Sequence, residues 1–559
     1  MKNPILATLQ DAFFSAIAFV TDTLRLIRQK GPDQFQFWLI ALCIGVAAGM
    51  ATVLFRQLVS ILQSLIYGAD DVTLASTAAH LHWLWVLCIP ILGGLIVGLI
   101  LHHFTPDARS RSVAHVIQGV ALNNGRIEGR AGLASTVASL ITLSTGGSTG
   151  REGPVVHLGA LISSKVSRLL NVDGVTGRNL MGCAVAAAVS ASFNAPIAGI
   201  LFALEVVLRH YAVHAFAPIV IASVAGTVVS RLTFGNITEF VLPTVSLQFY
   251  GELPAFLLLG ILCGVVAIIM MKAIFFAEDF GDEVQKHFRI PNWLRPAIAG
   301  AFLGALAIAF PHIIGVGYET TWNALNATIP FWIAVAFVVT KIIAVAITVA
   351  GRMGGGVFSP AMMVGALTGL AFGWVANGIF PSVESYVMLY ALAGTAGVAA
   401  AVLGAPISTA MIIFEMTGDW QAGLAVMVTV SLSSALAARF VHRSFFLTQI
   451  ERSGVHLAAG PQAYLLATFS VSHLMRDVSD DIDQDRIDEV IKSGCWVQAN
   501  ATLEDAMGLF ERCDEDFIAV TSNPVNSDED VICLGLLFEI DALRAFNQAL
   551  VETAREEHS

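Results

Sequence analysis

The sequence predicts an all-α, multi-pass membrane protein of tilted and broken helices, with a small α/β module at its C-terminal end. Three observations carry this. Of 559 residues, 56% are hydrophobic and only 13% are charged, and the mean hydropathy is +0.74. Soluble domains carry about 25% charged residues. Uncharged apolar runs recur at residues 37–55, 81–101, 180–204, 254–271, 330–340 and 385–414. A long unit of the sequence also occurs twice.

A membrane-crossing helix needs about 20 apolar residues. Some of these runs are longer and some shorter, and many contain Gly or Pro, which suits tilted and interrupted helices better than straight ones. The repeat is visible in matched segments. Ala191-Ser192-Phe193-Asn194-Ala195-Pro196-Ile197 matches Ala401-Val402-Leu403-Gly404-Ala405-Pro406-Ile407, and each leads through apolar residues to one acid, Glu205 or Glu415. Pro154 and its Gly159-Ala160-Leu161 match Pro360 and its Gly365-Ala366-Leu367 at nearly the same offset. Gly/Pro-interrupted apolar segments in corresponding positions of two halves point to a transporter's binding site.

Residues 1–34 are expected to form an N-terminal amphipathic helix without a signal peptide. It ends in Arg25, Arg28 and Lys30 beside the first span, which favours a cytoplasmic N-terminus. Residues 35–452 form the membrane domain, with repeats at roughly 35–235 and 250–452. Residues 453–469 are a linker, and 470–559 an acidic cytoplasmic domain and tail. This tail holds 21 acidic and 6 basic residues, a charge of −15; the remainder holds 21 and 24, a charge of +3. So acidic a tail is no nucleic-acid partner. Within it, residues 501–510 and 541–551 read as helices, the first started by Thr502 and Asp505. Residues 517–521 and 531–538 read as strands, with a loop at 522–530. The seven cysteines (Cys43, Cys88, Cys183, Cys263, Cys495, Cys513, Cys533) include no close pair. Neither a disulfide framework nor a zinc site is expected.

Glu152 carries the chemistry. No charge occurs between residues 131 and 150 or between 154 and 164, yet Gly150-Arg151-Glu152-Gly153-Pro154 interrupts that stretch. An ionisable group at membrane depth is costly and marks function by default. Irregular backbone there is tolerated only where it is buried or lines a cavity. Four small-residue-to-proline junctions open apolar helices at Pro154, Pro196, Pro360 and Pro406. Proline suits a first helical turn anywhere, so one junction alone says little. Two of the four follow glycine-rich runs, residues 146–150 and 354–356, and helix N-termini present free N–H groups that bind anions. A cation pathway needs rings of acids, whereas the deep acids here are chiefly Glu152, Glu205 and Glu415. The last two occupy matched positions and are expected to cap neighbouring helices. Glu152 aligns with Phe358, not with an acid. A lone carboxylate at an anion site competes with the anion when ionised and swings away when protonated. The run at 146–150 lacks the Lys-Ser/Thr of a phosphate loop. His102, His103 and His157 have no partner at ligand spacing, so no metal and no enzymatic activity are expected.

These motifs resemble those of the CLC family of chloride channels and chloride/proton exchangers, over roughly residues 35–452. Gly150-Arg151-Glu152-Gly153-Pro154 looks like the family's gating-glutamate motif. Gly355-Gly356-Val357-Phe358-Ser359-Pro360 looks like its second anion-site motif. Asn194-Ala195-Pro196 and Gly404-Ala405-Pro406 match two further helix starts. The resemblance implies inverted repeats, a homodimer with one anion pore per subunit in a cell (inner) membrane, and cytoplasmic termini. It implies Glu152 as the gate and an anion site at Arg111 or Ser112, Gly150, Arg151, Gly153, Gly356, Val357, Phe358 and Phe446. Chloride would be the transported ligand, with no cofactor.

Three positions depart from the family pattern. Its usual Gly-Ser-Gly-Ile-Pro is here Arg109-Ser110-Arg111-Ser112-Val113-Ala114, and either Arg111 or Ser112 takes the central serine position. Phe446 replaces the inner pore tyrosine. Val206 stands where exchangers often carry an inner proton-relay glutamate. Val206 favours channel-like conduction over chloride/proton exchange; a non-transporting sensor or scaffold is the third reading. The tail resembles a single CBS module, with Asp541 at the ribose-binding position. Phe538 replaces the usual Ser/Thr, so a nucleotide is not expected there.

Overall fold

A computed structural model describes residues 33–209, 213–236, 252–379, 387–418, 420–441, 443–455, 469, 471–477, 484–499, 501–513, 515–521 and 533–558. The expected helix at 1–34 (apart from its last two residues), most of the linker and the loop at 522–530 lie outside them. The chain divides into two compact units within the helix Phe445–Arg452, the larger before Ile450 (apart from residues 212–214) and the smaller from Ile450 onward.

The larger unit is all helix. Its first half holds α1 (Gln34–Tyr67), α2 (Leu74–His80), α3 (Trp83–Phe104), α4 (Val113–Leu122), α5 (Gly129–Ser144), α6 (Glu152–Leu170), α7 (Gly174–Phe193), α8 (Pro196–Phe202) and α9 (Val213–Phe234). A π-helical turn, Ala203–Leu208, extends α8. The second half holds α10 (Leu253–Phe288), α11 (Arg295–Ala309), α12 (Tyr318–Leu325), α13 (Phe331–Ala350), α14 (Phe358–Ile379), α15 (Val387–Leu403), α16 (Pro406–Thr417), α17 (Trp420–Phe440) and α18 (Phe445–Arg452). Among the described residues, seven helical stretches are long and apolar enough to cross a membrane. Five apolar helical segments of 10–17 residues accompany them.

The breaks follow from backbone chemistry. The apolar run at 180–204 splits where Asn194 takes a left-handed conformation (φ 56°) and Pro196 opens α8. The run at 385–414 splits in the same way at Gly404 (φ 67°) and Pro406. A left-handed residue ends a helix, and proline, lacking an N–H, starts the next at no cost in hydrogen bonds.

The two halves meet reciprocally. Glu205 accepts from the backbone N–H groups of Ile407 and Ser408 (2.9 and 2.8 Å), while Glu415 accepts from those of Ile197 and Ala198 (3.0 and 2.7 Å). Each acid thus caps the helix that opens the other's segment, an exchange that a two-fold relation between the halves produces.

The smaller unit holds α19 (Gln484–Lys492), β1 (Trp496–Gln498), α20 (Leu503–Cys513), β2 (Phe517–Thr521), β3 (Cys533–Phe538) and α21 (Glu539–His558). Its sheet has the order β1-β2-β3, with β1 parallel and β3 antiparallel to β2. Thr502 and Asp505 cap α20 mutually. Where the sequence led us to expect no disulfide, Cys495 and Cys513 are bonded across 18 residues. The end of α20 returns to the start of β1, so distance along the chain hides the pair.

Candidate anion site

The site forms where the two glycine-rich loops meet. Gly150 and Gly356 exchange backbone hydrogen bonds in an antiparallel bridge (2.6 and 2.8 Å), and Thr149 Oγ1 also donates to the Gly356 carbonyl at 2.9 Å. The bridge fixes the starts of α6 and α14 beside one another. The first N–H groups of each helix have no carbonyl a turn behind them. Both positive helix ends therefore face one region.

Gly150 leaves room for the Glu152 side chain. A Cβ there would lie 2.7 Å from Glu152 Oε2 and 3.1 Å from the Ser359 nitrogen. Glu152 itself is buried. Ser359 Oγ donates to its Oε1 at 2.5 Å, while Oε2 has no hydrogen-bond partner.

This carboxylate is part of the wall of a cavity. The cavity is lined by Val113, Glu152, Gly153, Val156, Val189, Phe193, Phe202, Gly356, Val357, Phe358 and Phe446. Six of the residues expected from sequence thus converge: Glu152, Gly153, Gly356, Val357, Phe358 and Phe446. Glu152 is the ionisable residue among the lining. The rest are glycine, valine and phenylalanine, so polar contact with an ion there falls to backbone N–H groups. The Phe358 ring rests on Phe193 and Phe202, with centroids 4.9 and 6.3 Å away.

The other expected residues lie around the cavity. Ser112 is the N-cap of α4, and its Oγ donates to Gln449 Oε1 at 3.1 Å. The Arg111 guanidinium turns to Asp107 (2.9 Å) and Glu128 (3.5 Å), away from the lining. Arg151 is buried against Tyr318, 5.1 Å above the ring and 3.4 Å from its hydroxyl, with Asp71 at 3.9 Å. Gln63 holds that aspartate at 2.8 Å. Val206 is buried in the π-helical turn and is not part of the lining. Pro154, Pro196, Pro360 and Pro406 each lie in the first turn of their helix.

Several residues escaped the sequence reading. Ser359 stood inside the second anion-site motif and before Pro360 but was given no role of its own, although in the repeat it pairs with Gly153 and is the hydroxyl version of that position. Lys341 follows directly on the apolar run 330–340, yet it is fully buried, and its Nζ donates to the carbonyls of Ile313 and Gly315 (3.2 and 3.0 Å).

In the smaller unit, Asp541 is held by Arg476 through two bonds of 2.6 and 2.9 Å, and the same guanidinium lies 4.7 Å above the Phe538 ring. The arginine holds the Asp541 carboxyl below the usual carboxylate range. Among the described residues, no three His, Cys, Asp or Glu gather as metal ligands.

Known proteins share this architecture. Residues 93–438 match the family model described as voltage gated chloride channel. A putative chloride channel protein ClcB-like from Ralstonia nicotianae is 32% identical, over 70% of this chain and 90% of its own length. A voltage-gated ClC-type chloride channel ClcB from Escherichia coli is 29% identical, over 74% of this chain and 98% of its own length. The crystal structure of a slow cyanobacterial Cl-/H+ antiporter superposes with a TM-score of 0.66 at 21% identity, covering 75% of this chain and 97% of its own. With its broken helices, paired loops and family match over more than half its length, the chain belongs to the CLC family of chloride channels and transporters.

Proposed function

We propose that this chain exchanges chloride for protons across a cell membrane, with Glu152 as the gate and the proton acceptor of the pathway. Family membership carries the coarse part, transmembrane movement of chloride or a similar anion. The observation that supports exchange is the enclosure of the site around one titratable group. Glu152, Phe358 and Phe446 are each only 4% exposed. An enclosed site opened to one side at a time suits stepwise exchange. The similar fold described as a Cl-/H+ antiporter agrees with this reading. The ion would be held by backbone N–H groups of Val357 and Phe358 at the start of α14, and by the positive end of α6. Phe446, lacking a hydroxyl, would act as a hydrophobic constriction. A homodimer with cytoplasmic termini belongs to the same proposal.

Channel-like conduction is the second reading, and Val206 favours it. A valine there cannot relay protons behind Glu152. One experiment separates the two. Liposomes containing the protein are given a chloride gradient, and chloride and pH are recorded together. Uphill proton movement that follows chloride supports exchange. Chloride flux without it leaves conduction, and no flux at any pH sinks both.

A further inference from the structure

Asp282, in the last turns of α10, gathers three arginines from three other segments. Its Oδ2 accepts from Arg109 Nη2 at 3.0 Å. Its Oδ1 accepts from Arg352 Nη2 at 3.1 Å and from Arg295 Nη1. Glu278, one turn earlier, takes Arg109 Nη1 at 3.5 Å. Arg295 is anchored separately, donating to the Ala350 carbonyl (2.6 Å) and to Gln285 Oε1 (2.7 Å). It packs against α10 at Gly281, where a Cβ would stand 2.6 Å from its Nη2.

The two loops held in this way are the ones that carry cavity walls. Arg109 precedes Ser112, the N-cap of α4, and Val113 of the lining. Arg352 precedes Gly356, Val357 and Phe358 of the lining. Each loop also has a non-glycine residue in the left-handed region at this point: Ala108 (φ 51°) and Arg352 (φ 57°). Such conformations are costly and persist where the surroundings over-determine them. One carboxylate therefore ties together two strained loops that reach the same cavity from different halves of the chain.

We propose that Asp282 is a positioning residue of the anion site: through Arg109 and Arg352 it sets the spacing between the start of α4 and the Gly356–Phe358 wall. This rests on the reading that the cavity is the anion pathway. Preorganised backbone donors act on an anion only within hydrogen-bond reach, so a small shift of one wall alters affinity and selectivity before it alters the gate.

The test uses the full chain in liposomes and measures half-saturating chloride and the chloride-to-nitrate uptake ratio. Asp282→Asn is expected to raise half-saturating chloride about tenfold and to change the ratio. Maximal flux and its pH profile stay near wild type. Asp282→Glu restores part of the affinity. Should Asp282→Asn fail to fold, Arg109→Gln carries the test, because that side chain is 41% exposed; a smaller rise in half-saturating chloride is expected. Where both fold, the double variant is no worse than Asp282→Asn alone. Unchanged half-saturation and ratio, or strictly additive effects, overturn the proposal. A wild-type protein with no flux sinks the pathway reading instead.

Discussion

Ser359 and Glu152 share a 2.5 Å hydrogen bond across the junction of the two halves, and in the proposed mechanism it is the bond that latches the gate. Oε1 of Glu152 takes the Ser359 hydroxyl, while Oε2 is enclosed without a donor. Arg151 is adjacent in sequence, but its Nε stands 3.9 Å from Oε1, beyond hydrogen-bond reach. A buried carboxylate oxygen without a donor is costly. The carboxylate is therefore held on one side only, and in the proposed mechanism this is the closed position that protonation releases.

Replacing Glu152 with Gln removes the charge and keeps the shape. The amide neither gains nor loses a proton between about pH 4 and pH 8. Chloride flux in liposomes is then expected to be flat with pH over that window. Uphill proton movement, if present in wild type, disappears. Flux that keeps its full pH dependence in this variant removes Glu152 from the gate.

Ser359→Ala tests the latch itself. A hydrogen bond to a charged group contributes about 1.5–3 kcal/mol. Losing it favours release of the carboxylate, and each 1.4 kcal/mol is about a tenfold change in that equilibrium. Chloride flux at neutral pH should rise about tenfold or more, up to the limit set by the next slowest step. Equal or lower flux in a folded variant means that the hydroxyl does not restrain the gate.

Glu205 and Glu415 lend themselves to a symmetrical test. Each satisfies two N–H groups at the start of the helix in the other half. Loss of such a cap costs about 0.5–2 kcal/mol for a neutral side chain, and charge-assisted bonds lie at or above the top of that range. Glu205→Ala and Glu415→Ala should each lower unfolding stability by about 2–4 kcal/mol, with Gln variants milder. Thermal unfolding in detergent measures this. Markedly unequal costs for the two sites would mean that the reciprocal geometry does not translate into equal energetics.

What was legible in the sequence was local or repeated. Pro196 and Pro406 announce helix starts because proline's missing N–H is a property of one residue. Glu205 and Glu415 announce each other because they recur at one offset. The groups they bond lie about 200 residues away, and only the packing of α8 against α16 decides which. The direction of Arg111 was illegible because it depends on Asp107, four residues back in an irregular loop. Lys341 escaped because a lysine beside an apolar run reads as the end of a span; here the carbonyls of Ile313 and Gly315 hold its ammonium inside. The three-residue strand β1 and the short α19 are too brief to carry a period. Their places come from β2, against which β1 pairs, and from the apolar cluster of Ile487, Val490 and Val497.

Asp541 and Arg476 form a closed pair in the smaller unit. Both carboxylate oxygens of Asp541 are taken by one guanidinium, which also covers the Phe538 ring. An adenosine ribose would have to displace that arginine. Wild-type protein should therefore show no saturable ATP binding up to about 1 mM by calorimetry. The same pair sets a pH dependence. Arg476 lowers the Asp541 carboxyl in the folded state, so its contribution to stability is present above the unfolded value of about 3.9 and is lost as pH falls through the folded value. The part of the smaller unit's thermal shift between neutral pH and pH of about 3 that this pair causes should vanish in Arg476→Ala. An identical acid sensitivity in wild type and variant would show that the pair carries no net stability. Saturable ATP binding to the wild type would mean that Arg476 gives way to the nucleotide.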